Sequence, residues 1–157
     1  MSEFSLSQDH ALHLKNILAM DFGEKFIGVA TYCVNRDPFP TPYGRIANIS
    51  KEAVIKELKK IIDDEFIDII VIGLPHLTDG QKTSTTAKAQ TFVDFIREHF
   101  TLPIEEQDET LSTFEAENRM KNSPRYNFQV DLRQIDAVAA SVILEDFIRR
   151  KKRQAGL

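Results

Sequence analysis

A chain of 157 residues, 42 % hydrophobic and 28 % charged, has room for one well-cored domain and not for two of ordinary size. No apolar run approaches the roughly 20 residues that cross a bilayer, and the opening Met1–Ser–Glu–Phe–Ser lacks the basic and apolar stretches of a secretory leader. A single cysteine, Cys33, excludes an intramolecular disulfide and a cysteine zinc cluster, so the cytoplasm is the expected address. The net charge of −4 argues mildly against a general nucleic-acid binder. The run Arg149–Arg–Lys–Lys–Arg153 reads first as a solvated helix end.

Residues 1–15 are polar with scattered apolar positions and read as an N-terminal extension. Residues 16–22 and 26–34 are apolar, β-prone runs joined by Gly23–Glu–Lys25, a hairpin pattern. Arg36–Asp–Pro–Phe–Pro–Thr–Pro42 carries three prolines and is expected as a loop or sheet-edge feature, with a short third strand over Tyr43–Asn48. Ser50 is placed to cap a helix over 51–64, in which Val54, Ile55, Leu58, Ile61 and Ile62 recur at helical spacing. Phe66–Gly73 is almost wholly β-branched or aromatic, the composition of a strand covered on both faces.

Leu74–Gly80 follows as a loop, then a helix near 83–99 and a short strand over Pro103–Asp108. Ser112–Thr–Phe–Glu115 fits a capping box for a helix to about Met120, and 121–129 is a loop. A last helix is expected from about Leu132 to Arg150, leaving a basic tail at 151–157. Three antiparallel strands followed by alternating helix and strand predict an α/β fold: one mixed five-stranded sheet with helices on both faces, over residues 16–150.

Three acidic signatures stand at the edges of apolar segments: Asp21 in Ile17–Gly23, Asp108 and Glu109 in Gln107–Thr113, and Asp136 in Arg133–Ala140. A carboxylate in such a place costs stability unless a cation accompanies it. Several on one point would suit Mg²⁺ or Mn²⁺, hard cations that take oxygen ligands and assist phosphoryl chemistry. Taken singly each has an ordinary explanation: turn chemistry for Asp21 before Phe22–Gly23, a favourable helix dipole for Asp136, and a solvated strand end for Asp108 and Glu109. Lys82, Lys88 and Arg125 are candidate phosphate contacts and His76 a candidate proton shuttle; His10, His13 and His99 read as surface residues.

From about residue 16 to 149 the chain resembles the YqgF/RuvX family, a branch of the RNase H-like superfamily. The motifs in order are Asp21–x–Gly23 with Ile27–Gly–Val–Ala30, Val71–Ile–Gly–Leu–Pro75 with Thr78–Asp–Gly80, Asp108–Glu–Thr–Leu–Ser–Thr113, and Ile135–Asp–Ala–Val–Ala–Ala140. Each string is weak alone; their joint order is specific. The resemblance implies an RNase H-like fold and a nuclease, proposed for the family either to process the 5′ end of precursor 16S rRNA or to resolve Holliday junctions. It implies catalytic Asp21, Glu109 and Asp136 around two Mg²⁺ or Mn²⁺ ions, with Asp108 in reserve for Glu109 because strand alternation sends the two to opposite faces.

The implied partner is nucleic acid, structured RNA before branched DNA. A monomer suits RNA processing and a homodimer a two-fold junction. The chain departs from the family at Glu24, Lys25 and Phe26, where a hydroxyl residue and a basic pair are usual, and at Thr110, where the family carries arginine. Two rivals are a non-catalytic nucleic-acid-binding module of the same fold and an actin-like or sugar-kinase ATPase. The second needs two such domains, and the chain supplies one.

Overall fold

The computed structural model describes residues 15–74, 84–109 and 112–156. Five strands, β1 (Ile17–Asp21), β2 (Phe26–Tyr32), β3 (Thr41–Ala47), β4 (Ile69–Leu74) and β5 (Ile104–Asp108), form one sheet in the order β3-β2-β1-β4-β5. The first three pair antiparallel, and β4 and β5 continue parallel to β1. Among the described residues four helices accompany them: α1 (Lys51–Glu65), α2 (Ser84–His99), α3 (Ser112–Lys121) and α4 (Ile135–Gln154), with a 3-10 turn at Pro124–Tyr126. The mixed sheet and the helix order expected from the sequence are therefore present.

Alternation along the strands divides the core into two layers. Leu18, Met20, Ile27, Val29, Ile70 and Ile72 pack on one face with Val54, Leu58 and Ile61 of α1 and Phe92, Val93 and Ile96 of α2. Ile17, Ala19, Ala30 and Val71 face the other way, onto Ala140, Ile143, Leu144 and Phe147 of α4. Burial on both faces explains why β1 and β4 read as continuous apolar runs. Outside this frame α3 rests Ala116 and Met120 on Val138 and Ala139 of α4. Arg119 of α3 bridges to Glu145 of α4, with one bond at 2.9 Å.

Four boundaries differ from the sequence reading. Phe66 is not the first residue of a strand: it ends α1 in the left-handed conformation (φ 52°) and is 76 % exposed. The side-chain amide of Asn16 donates to the carbonyls of Glu65 and Phe66, satisfying helix-end acceptors and holding this stop. β3 begins at Thr41, two residues before the expected start. Pro42 is accepted because β3 is an edge strand, and the register shifts by one residue beside it. α4 starts at Ile135, where expectation placed it near Leu132: the Asp131 carboxylate accepts from the Arg133 N–H and the Gln134 side chain, making a turn ahead of the helix.

At its other end α4 continues through the residues expected as a tail, to Gln154. Its basic run is anchored on β5, Arg150 donating to the Gln107 side chain at 2.8 Å and Lys151 pairing with Glu105 at 2.8 Å. The N-terminal extension, apart from Lys15, lies outside the described residues.

Candidate active site

A single rung of the sheet organises the site. Arg45, Gly28, Asp21, Gly73 and Gln107 lie side by side across β3, β2, β1, β4 and β5. Asp21 follows Ala19 by two residues, so it faces the layer covered by α4. Both of its neighbours on the rung are glycines, and that leaves space on either side of its carboxylate.

That space is filled by the other two acids. A Cβ built on Gly28 would stand 2.0 Å from the main-chain oxygen of Asp136 and 3.0 Å from its Cβ. One built on Gly73 would come within 3.1 Å of the Glu109 Cβ and 2.4 Å of the tip of Ile143. Asp136, in the first turn of α4, thus leans over Gly28, and Glu109, just beyond β5, leans over Gly73. Glu109 is fixed from behind: its backbone N–H donates to the Leu74 carbonyl at 3.0 Å, and the Ser112 hydroxyl donates to its Oε2 at 3.0 Å. Ser112 is therefore the first residue of α3 and serves Glu109, where the sequence reading gave it to a capping box; Glu115 pairs instead with Arg119.

The electrostatics follow from this crowding. Burial, the Glu109 charge, a hydrogen bond to Glu109 and the Asp136 charge all push the Asp21 carboxyl well above the usual carboxylate range. Burial raises Glu109 as well, opposed by the hydrogen bonds it accepts from Asp21 and Ser112. Asp136 is raised by burial and held back by the Arg45 guanidinium. In this arrangement burial and the neighbouring acids both disfavour the charged form of Asp21. Adjacent carboxylates repel when both are charged, and a cation between them relieves that repulsion.

Three carboxylates brought to one rung offer the hard oxygen donors that a divalent ion suits. Among the described residues no three such side chains are closed up enough to cage an ion as they stand.

Of the remaining candidates, Asp108 is turned elsewhere. It lines a recess with Asp146, Arg150 and Arg153, between β5 and the end of α4, and is not among the groups acting on Asp21. Lys88 pairs with Glu24 at 2.9 Å, both exposed, so the extra acid at Glu24 has its own cation. Arg125 sits 5.9 Å from the ring of its neighbour Tyr126 in the 3-10 turn. Lys82, His76, Thr110 and the Thr78–Asp–Gly80 motif lie outside the described residues.

Sequence reasoning passed over Arg45 and the paired role of Gly28 and Gly73. The signal for both is strand register, which appears only once β3, β2, β1 and β4 are aligned.

Comparison with known proteins gives a consistent result. The family model RuvX, described as Holliday junction resolvase, matches residues 15–150. A protein of Maridesulfovibrio salexigens named "Putative pre-16S rRNA nuclease" is 34 % identical over 137 residues, 85 % of this chain and 98 % of the relative. A protein of Synechocystis bearing the same name is 33 % identical over 141 residues, 88 % of this chain and 91 % of the relative. Among solved structures, RuvC of T. thermophilus in complex with a Holliday junction superposes with a TM-score of 0.56 at 9 % identity, covering 88 % of this chain and 97 % of that one. The fowlpox virus resolvase in complex with Holliday junction DNA gives 0.50 at 11 % identity, covering 86 % and 97 %. At those identities the likeness concerns the fold.

Proposed function

The chain belongs to the RuvX family, and on that footing we propose that it is a divalent-metal-dependent endonuclease that cuts phosphodiester bonds in structured nucleic acid. The observation that carries this reading is the convergence of Asp21, Glu109 and Asp136 on one glycine-flanked rung, each with its carboxyl pushed up by burial. Perturbed acids brought together from distant parts of a chain are the usual mark of a functional site.

In this reading Asp21 is the central ligand, and Glu109 and Asp136 hold the metal from either side. Bound divalent ions supply an activated water and neutralise the leaving oxygen. The protein's share is positional. The sheet fixes Asp21, the Leu74 carbonyl and Ser112 fix Glu109, and the 20-residue α4 fixes Asp136.

Processing of the 5′ end of precursor 16S rRNA is the preferred role, because relatives carrying the pre-16S rRNA nuclease name align along almost their whole length. Resolution of branched DNA is the second reading, favoured by the description of the family model. It would require a homodimer to match the two-fold symmetry of a junction. Among the described residues no helix is long and apolar enough to cross a membrane.

The test is cleavage of a labelled precursor 16S rRNA fragment and of a labelled four-way DNA junction, in Mg²⁺ or Mn²⁺ and in chelator. Metal-dependent cutting at a defined position in the RNA supports the first role, and paired symmetric cuts in the junction support the second. Absence of cutting on both would leave a binding module of the same fold.

A further inference from the structure

Three carboxylates repel a nucleic-acid strand, so the site needs a cation to receive the phosphodiester backbone. Several cations of the described residues are already engaged. Lys88 is tied to Glu24, Arg119 to Glu115 and Glu145, Arg149 to Glu145 and Asp146, and Arg150 to Gln107 and the Glu106 carbonyl. Arg45 differs. Among the described residues it forms no ion pair and donates no side-chain hydrogen bond; its guanidinium lies over the Phe26 ring, 3.7 Å from the centroid.

Its position is set by the rung that carries the acids. Arg45 pairs with Gly28, which pairs with Asp21, and Asp136 leans over that same glycine. The side chain is exposed on β3, the edge strand of the sheet formed by the described residues. The contact with the Phe26 ring holds the guanidinium without using its N–H donors in hydrogen bonds, and the planar fork suits phosphate oxygens. Arg45 feels the Asp136 charge yet closes no ion pair or hydrogen bond with it, so its donors remain for a ligand of negative charge.

We propose that Arg45 is a substrate-clamping residue that binds a backbone phosphate of the nucleic acid alongside the acidic rung, aligning the strand across β2 toward Asp21. This rests on the nuclease reading above, with the phosphodiester backbone, of RNA or DNA, as the recognised chemistry. Such a contact carries no base sequence; it positions.

The test compares Asp21→Asn with Asp21→Asn/Arg45→Ala and Asp21→Asn/Arg45→Lys for binding the labelled precursor-rRNA fragment and the four-way junction over a series of KCl concentrations. Arg45→Ala is expected to weaken binding roughly tenfold to a hundredfold, the worth of one hydrogen-bonded ionic contact. It should also lower the slope of log K against log[salt] by about one contact. Lysine restores the slope and only part of the affinity, lacking the fork and the stack. In the active protein Arg45→Ala raises KM more than it lowers kcat.

A lowered Tm with an unchanged salt slope would make Arg45 a structural partner of Phe26 and overturn the proposal. Cleavage intact with affinity and slope unchanged would sink the clamp alone. A slope change with no metal-dependent cleavage by the wild type would keep the clamp and sink the nuclease reading. Binding by none of the three proteins would sink both.

Discussion

Gly28→Ala is expected to cut activity by about a hundredfold or more while also destabilising the fold. The added methyl would stand 2.0 Å from the Asp136 carbonyl oxygen, where ordinary contacts do not fall below 3.0 Å. The obstacle is main chain, so no side-chain rotation relieves it. The start of α4 must retreat by about 1 Å or more, carrying the Asp136 carboxylate away from Asp21, and a displacement of that size near reacting groups costs roughly a hundredfold.

Overpacking of this kind costs about 1–3 kcal/mol. Gly73→Ala offers the contrast. Its nearest obstacle is the tip of the Ile143 side chain, and Glu109 Cβ is grazed at 3.1 Å, so a smaller loss is expected. Urea unfolding and cleavage rates on both variants check the order. Equal tolerance of both would mean that the close approach of α4 to β2 does not set the site.

Asp21→Asn is the second large effect, and it separates activity from stability. Cutting should fall by roughly a thousandfold or more, the scale of losing a group that acts on the transition state, while resistance to unfolding at neutral pH should rise. Asp21, Glu109 and Asp136 all have carboxyls raised in the folded protein. Above the ordinary carboxylate value near ~4, the native state therefore keeps protons that the unfolded chain has released. Their contribution to stability is full below that value and is lost as pH climbs through the raised folded values.

The wild type should accordingly gain thermal stability relative to Asp21→Asn as pH falls from neutral toward ~4. Asp37 and Asp131 are lowered in the folded state and push the other way at acid pH, but they are common to both proteins and drop out of the difference. A difference in Tm that does not change with pH would show that Asp21 is not under the pressure ascribed to it.

Much of this architecture could be read from the chain because local signals agreed with the final packing. β1 and β4 were legible as two-sided strands from unbroken apolar runs, and Ser50 as a cap from its place before Lys51. Phe66 was misleading for a physical reason: an aromatic ahead of Ile67 looks like strand, yet the carbonyls ending α1 need a stop, and Asn16, distant in sequence, supplies it.

The acids were visible as types and not as a constellation. Alternation alone could not choose between Asp108 and Glu109. The proposed preference for Glu109 rests on the chain leaving β5 after Asp108 and setting Glu109 beside Gly73, a residue of the neighbouring strand. Arg45 was silent for the same reason. Its meaning lies in its register against Gly28, and nothing within β3 itself announces it.

The central claim is that Asp21, Glu109 and Asp136 together receive a divalent cation. Calorimetric titration of Mn²⁺ into the wild type and into Asp21→Asn, repeated in two buffers of different ionisation enthalpy, tests it most directly. Binding by the wild type with release of protons from carboxyls that burial has pushed up, and a lost or greatly weakened site in Asp21→Asn, is the result predicted. Equal binding by both proteins, or no binding by the wild type at millimolar Mn²⁺, would contradict it.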